Sequence, residues 1–164
     1  MIADSNDDVA DLILSPAVGV ACGIAAAATL LAVLAALQGA AGVRVWLGDV
    51  GRVFLPGAGR SADALLYTGL LAHFTIGGVL GALHAACQQR TTMSGLLVVG
   101  GFYGFVAWLV AELVFGRWLS VGPALLGSWT GLGLLMVYGL GLSLCAAAEQ
   151  VRSGRRQRSA KPID

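Results

Sequence analysis

Three stretches of this chain, 17–37, 64–86 and 124–148, each run more than twenty residues without a charged side chain. A fourth, 95–115, is interrupted only by Glu112. A helix of roughly 20 apolar residues crosses a hydrocarbon core of about 30 Å. Within lipid every backbone donor and acceptor must be satisfied inside the segment, so isolated spans of this kind are helices. The expected fold is therefore all-α, an integral membrane four-helix bundle. Composition agrees: 57% of residues are hydrophobic and only 12% charged, about half the charged share of a soluble domain. A mean hydropathy of +0.82 leaves too little polar surface to cover a globule in water.

The organisation follows from the spans. Residues 1–16 form an acidic N-terminal segment with Asp4, Asp7, Asp8 and Asp11, residues 17–148 the membrane domain, and residues 149–164 a basic tail with Arg152, Arg155, Arg156, Arg158 and Lys161. Pro16 and Pro123 stand at first-turn positions, where a missing N–H costs nothing, and Pro56 and Pro162 fall outside the spans. The first span is expected to be retained, because its leader is acidic and its apolar stretch is long for a signal peptide. Within the one long loop, 39–63, Val43, Trp46, Leu47, Val50 and Phe54 recur at helical spacing. That pattern predicts a short helix lying in the membrane interface.

Four spans place both termini on one side. That side carries Arg90 and the five basic tail residues; the other carries Arg44, Arg52, Arg60 and Arg117. The positive-inside rule then favours cytoplasmic termini at the inner (plasma) membrane. Trp46, Trp108, Trp118 and Trp129 all fall in the opposite half and mark an aromatic interface there. The tail reads as a topology determinant near anionic headgroups, not as a nucleic-acid contact.

Each span carries small residues four apart: Gly19 and Gly23, Gly77 and Gly81, Gly100 and Gly104, Gly127 and Gly131. Such pairs let helix backbones approach closely in lipid, where dispersion and weak polar contacts drive association. His73, Gly77, Gly81, His84 and Gln88 share one face of the second span, with the histidines roughly 16 Å apart. Gly101, Gly104, Trp108 and Glu112 form a comparable stripe on the third. The two stripes are expected to face each other. His73, His84 and Glu112 are the candidate functional groups, since an ionisable side chain inside a membrane is costly and must be relieved by a partner.

No catalytic residues and no cofactor are indicated. The glycine-rich stretches lack the lysine and strand-to-helix context of a phosphate loop, and two histidines on one helix at this spacing cannot clamp a haem iron. Three cysteines, an odd number, form no disulfide framework. Cys22 and Cys145 sit among alanines and leucines, the setting of inert thiols. Cys22, His84, Cys87 and Cys145 all fall towards the terminus side, which leaves a soft-metal or redox cluster open.

The stretch Leu71-Ala72-His73-Phe74-Thr75-Ile76-Gly77-Gly78 with Gly81 and Ala85, followed by Gly95-Leu96-Leu97, Gly101, Tyr103-Gly104 and Trp108, carries a further signal. It resembles a pattern in small bacterial and archaeal four-span proteins, the YagU-like group. The resemblance covers spans two and three and departs at His84, where the pattern often has an aromatic residue. It implies a multi-pass inner-membrane protein with no assigned reaction. Two functions are expected from the residues themselves. The first is a non-enzymatic accessory subunit that packs against a membrane partner or its own copy. The second is a small transporter or proton conductor using His73 and Glu112.

Overall fold

The computed structural model describes residues 15–57, 59–87, 93–114 and 128–159, and among these there is no strand. Four helices follow in order: α1 (Pro16–Phe54), α2 (Ala62–Cys87), α3 (Met93–Ala111) and α4 (Trp129–Ser159). Each contains a segment long and apolar enough to cross a membrane. Large apolar side chains such as Leu71, Val98, Phe102 and Trp129 stand on the outside, an exterior suited to hydrocarbon and not to water.

Local chemistry sets the helix starts. The Ser15 hydroxyl accepts from the Val18 N–H at 3.3 Å, with Pro16 directly behind it. Ser61 caps α2 by accepting from Ala64 at 3.2 Å, and Ser128 caps α4 by accepting from Gly131 at 3.2 Å. Each hydroxyl satisfies a first-turn N–H that has no partner within its helix. The acidic segment to residue 14, Pro123, Trp118 and Gly127 lie outside the described residues.

The first span is expected to end near residue 37, with a short helix following in the loop 39–63. Helix breaks at Gly39, where φ is 69° and ψ −175°, and a second helical piece runs from there to Phe54 within α1. Glycine takes this positive φ without steric cost. The second half of α1 does not lie apolar side down in lipid. It packs on the first turns of α2: a Cβ at Gly51 would strike the Leu65 carbonyl, and one at Gly69 would strike the Leu47 carbonyl. Its apolar stripe is thus spent on protein, with Trp46 and Leu47 joining the core.

The basic segment expected from residue 149 is helical over most of its length. Helix α4 runs on without interruption to Ser159. Arginine is a good helix former, so leaving the apolar region does not by itself end a helix.

Helix α1 packs along both α2 and α4, and α3 packs on α4. The order around the molecule is therefore α2, α1, α4, α3, with the α2–α3 seam left least closed. Leu30, Leu34 and Leu142 are fully buried where α1 meets α4. The close approaches run through glycine. Gly19 and Gly23 meet Gly77 and Gly81, so that a Cβ at Gly19 would fall 2.6 Å from Ala85 Cβ and 2.7 Å from the Gly81 carbonyl oxygen. On the other side, Gly100 and Gly104 meet Gly139.

Of the α4 pair expected from the sequence, Gly127 lies outside the described residues and Gly131 sits buried in the first turn of α4. Gly139, two turns further along, faces Gly100 and Gly104. Backbone approach in lipid is decided by which small residues come level once the helices dock, and spacing alone does not set that level.

Gly48 is the counter-case. A Cβ there meets nothing within 4 Å. Gly48→Ala is expected to raise stability by about 0.5–1 kcal/mol, because alanine loses less backbone entropy in a helix. A denaturant or thermal midpoint in detergent measures it, and a lowered midpoint contradicts the open surroundings of that residue.

Candidate functional site

The polar side chains inside the molecule are few, and most are tied to neighbouring helices. His73, 8% exposed, reaches α1 twice. Its Nδ1 lies 3.5 Å from Trp46 Nε1, and its Nε2 lies 3.1 Å from the Ala27 carbonyl oxygen. The indole N–H can only donate and the carbonyl can only accept. These two contacts therefore fit one tautomer, with the proton on Nε2 and the Nδ1 lone pair facing Trp46. The rings of Trp46 and Phe74 meet His73 edge-on, at centroid distances of 6.3 and 5.5 Å.

Two tyrosines do similar work. Tyr138 of α4 donates to the Gly77 carbonyl at 2.7 Å, and Tyr103 of α3 donates to the Leu80 carbonyl at 2.7 Å. Both acceptors belong to α2. Sequence reasoning missed the role of both tyrosines, because nothing local shows which carbonyl of another helix a tyrosine will reach.

The expectation that the polar stripes of α2 and α3 face each other is overturned. The glycines of the α2 stripe face α1, and Gly104 of the α3 stripe faces Leu135 and Met136 of α4. Gly101 has only Met136 Cε near it, at 3.6 Å from an added Cβ. The two histidines also divide their partners. His73 serves α1, whereas His84, 4% exposed, stacks edge-on against Tyr103 of α3 at 4.9 Å. The His84 Nε2 and the Ser143 hydroxyl are buried without a hydrogen-bond partner among the described residues.

Glu112 stands in a short π turn, 112–114, that closes α3, and it is only partly buried. The hydrogen bonds of His73 go elsewhere, to Trp46 and Ala27, and among the described residues Glu112 has no ion pair. The described ion pairs are between neighbours on one helix, Arg52 with Asp49 and Arg152 with Glu149. Trp46 is 5% exposed and belongs to the interior, so it leaves the aromatic interface the sequence suggested; Trp129 stands fully out.

The cysteines also depart from expectation. Cys22 of α1 and Cys145 of α4 form a disulfide, with their Cα atoms 5.7 Å apart. That spacing is ordinary for such a bond. Cys87 is the free thiol and is exposed. The soft-metal cluster therefore does not assemble: two of its sulfurs are bonded to each other, and His84 faces Tyr103. Among the described residues no three His, Cys, Asp or Glu side chains converge. The sequence pattern failed here because a disulfide needs proximity, and residues 123 apart acquire it only through the α1–α4 packing.

The pairing has a direct readout. Protein extracted without reductant and then denatured is expected to take up one maleimide, at Cys87, and three after reduction. Three labels without reduction would show the bond absent.

A cavity of about 300 Å³ opens beside His73. Its walls come from α2 and α3, its back from α1 and α4, and the second half of α1 covers one end. The polar side chains on its lining are His73, Tyr103, Tyr138 and Trp46, which are the groups already hydrogen bonded across the helices.

The chain matches no family model, and no curated protein and no solved structure matches it.

Proposed function

We propose that the protein is a multi-pass four-helix bundle of the bacterial inner membrane, with cytoplasmic termini, acting as a non-enzymatic accessory or interaction subunit. One observation carries this reading. Of the two groups expected to serve conduction, His73 has both nitrogens occupied in holding helices together, and Glu112 is not bonded to it. The hydroxyls of Tyr103 and Tyr138 are occupied in the same way. His84, whose Nε2 has no partner among the described residues, is stacked on Tyr103. A proton carrier needs a ring nitrogen free to exchange, and a catalytic pair needs an acid and a base within reach of one substrate. The resemblance of spans two and three to the YagU-like group fits the same reading.

The partner surface we assign is the outer face of α3. Val98, Phe102, Phe105 and Leu109 recur at intervals of four, three and four, and all stand exposed. That spacing places them on one side of the helix. Gly19, Gly23, Gly77, Gly81, Gly100, Gly104 and Gly139 are consumed in contacts within the chain, so association with a membrane partner or a second copy uses this apolar ridge.

Purification from gently solubilised membranes is expected to recover a homo-oligomer or a stoichiometric partner, lost on combining Phe102→Ala with Phe105→Ala. A strictly monodisperse monomer would count against the proposal. Reconstituted into proteoliposomes, the wild type and the variants His73→Ala and Glu112→Gln are expected to show the same background flux. Proton or solute flux in the wild type that His73→Ala abolishes would move the function to conduction.

A further inference from the structure

We propose that the cavity between α2 and α3 is a binding site for one acyl chain of a membrane phospholipid, which enters sideways from the bilayer. The site is independent of the α3 ridge and goes beyond the accessory reading.

The cavity is graded from outside to inside. Ile76 of α2 and Val106 and Val110 of α3 line it and are each more than a third exposed, so they form a mouth on the least closed seam. Ala27, Leu30, Trp46 and Tyr138 line it and are buried, so they form its floor. The mouth lies within segments apolar enough to cross a membrane. What lies against it is therefore hydrocarbon.

The lining decides the chemistry of the occupant. Its polar groups already have partners: His73 with Trp46 and Ala27, Tyr103 with Leu80, Tyr138 with Gly77. A polar ligand would surrender its hydrogen bonds to water and gain none in exchange, whereas a methylene chain surrenders nothing. Water is disfavoured for the same reason, since apolar cavities stay dry. Size excludes a partner helix, whose diameter with side chains is about 10–12 Å. Small residues on the lining, Ala27, Gly77, Ala107 and Ala111, leave the width for a single flexible chain.

Charge at the covered end agrees. Phe54 and Val53 of α1 line that end, and Arg52 precedes them with an exposed side chain that also pairs with Asp49. Arg44 and Arg60 are exposed on the same side of the spans. A phospholipid whose chain enters the seam holds its phosphate beside these guanidinium groups.

Trp46 makes the site testable, because it lies on the cavity floor and is shielded from bulk lipid by the protein. The full chain carrying Trp108→Phe, Trp118→Phe and Trp129→Phe is reconstituted into vesicles of phosphatidylglycerol brominated on its acyl chains. The expected result is loss of most Trp46 emission relative to unbrominated vesicles. Ala107→Phe, which fills the cavity, and Ile76→Phe, which narrows its mouth, are each expected to restore that emission. Undiminished emission in the brominated vesicles would overturn the proposal. So would quenching that persists in both filled variants, which would come from surrounding lipid, or quenching by acrylamide, which would show a water-filled space.

Discussion

Gly23→Leu is expected to separate α1 from α2 and to abolish the native packing while leaving most helix intact. A Cβ at position 23 would strike the Gly77 carbonyl and come within 2.9 Å of its carbon and 3.0 Å of Gly81 Cα. These are backbone atoms of another helix and cannot swing aside as a side-chain end can. Even Gly23→Ala must push two helices apart over the length shared by Gly19, Gly23, Gly77 and Gly81. Overpacking of a tight contact costs roughly 1–3 kcal/mol, and alanine here is expected near the upper end, about 3 kcal/mol. In lipid the loss is not recovered by hydrophobic burial, because detached apolar surface is covered by acyl chains of the same polarity. Titration with a denaturing detergent, followed by near-ultraviolet circular dichroism, gives the midpoint. Gly48→Ala in the same assay serves as the glycine replacement without a neighbour. An unchanged midpoint for Gly23→Leu would mean that α1 and α2 do not meet at their glycines.

The helices themselves were legible because their cause is local. A run of apolar residues as long as the hydrocarbon is thick has one solution, and the sequence places α2 at 64–86 against the observed Ala62–Cys87. The pairing of Gly19 and Gly23 with Gly77 and Gly81 was half legible: spacing showed the small faces but not which faces meet. What failed depends on docking. Gly139 was overlooked as the contact of Gly100 because α4 contains several glycines, and only the height at which α3 and α4 lie together selects among them. Cys22 and Cys145 looked inert because their local surroundings are inert. Trp46 looked interfacial because its helix is amphipathic, and nothing local shows that the break at Gly39 turns this stripe onto α2. The ionisable residues divided on the same ground. His73 was correctly marked as needing a partner, since burial in an apolar span demands one. Its partners are the Ala27 carbonyl and Trp46, both on α1, and the second was not legible because only the resumed helix of α1 brings the indole to the imidazole.

That pairing yields the second large effect. His73→Ala is expected to destabilise the protein by about 3 kcal/mol, because it opens a void among Trp46, Phe74 and Ala27 and leaves the Trp46 N–H buried without an acceptor. A cycle of substitutions separates the two contributions. His73→Phe retains ring volume but removes the acceptor, and Trp46→Phe retains a ring but removes the donor. Each strands the other's polar group, whereas the double variant strands neither at this contact. The double variant is therefore expected to lose less stability than the two single variants together, by about 1 kcal/mol. The cycle also bears on function. The Nε2–H tautomer fixed by Ala27 turns the Nδ1 lone pair towards Trp46, and a ring protonated on both nitrogens would set an N–H against the indole N–H. A histidine that carried protons would have to break this contact in every cycle, so Trp46→Phe would alter flux more than stability. We expect the reverse: lowered unfolding midpoints for Trp46→Phe and His73→Phe, a positive coupling between them, and proteoliposome flux at background in both. Strictly additive losses would show that the two rings share no bond and would return His73 to the candidates for chemistry.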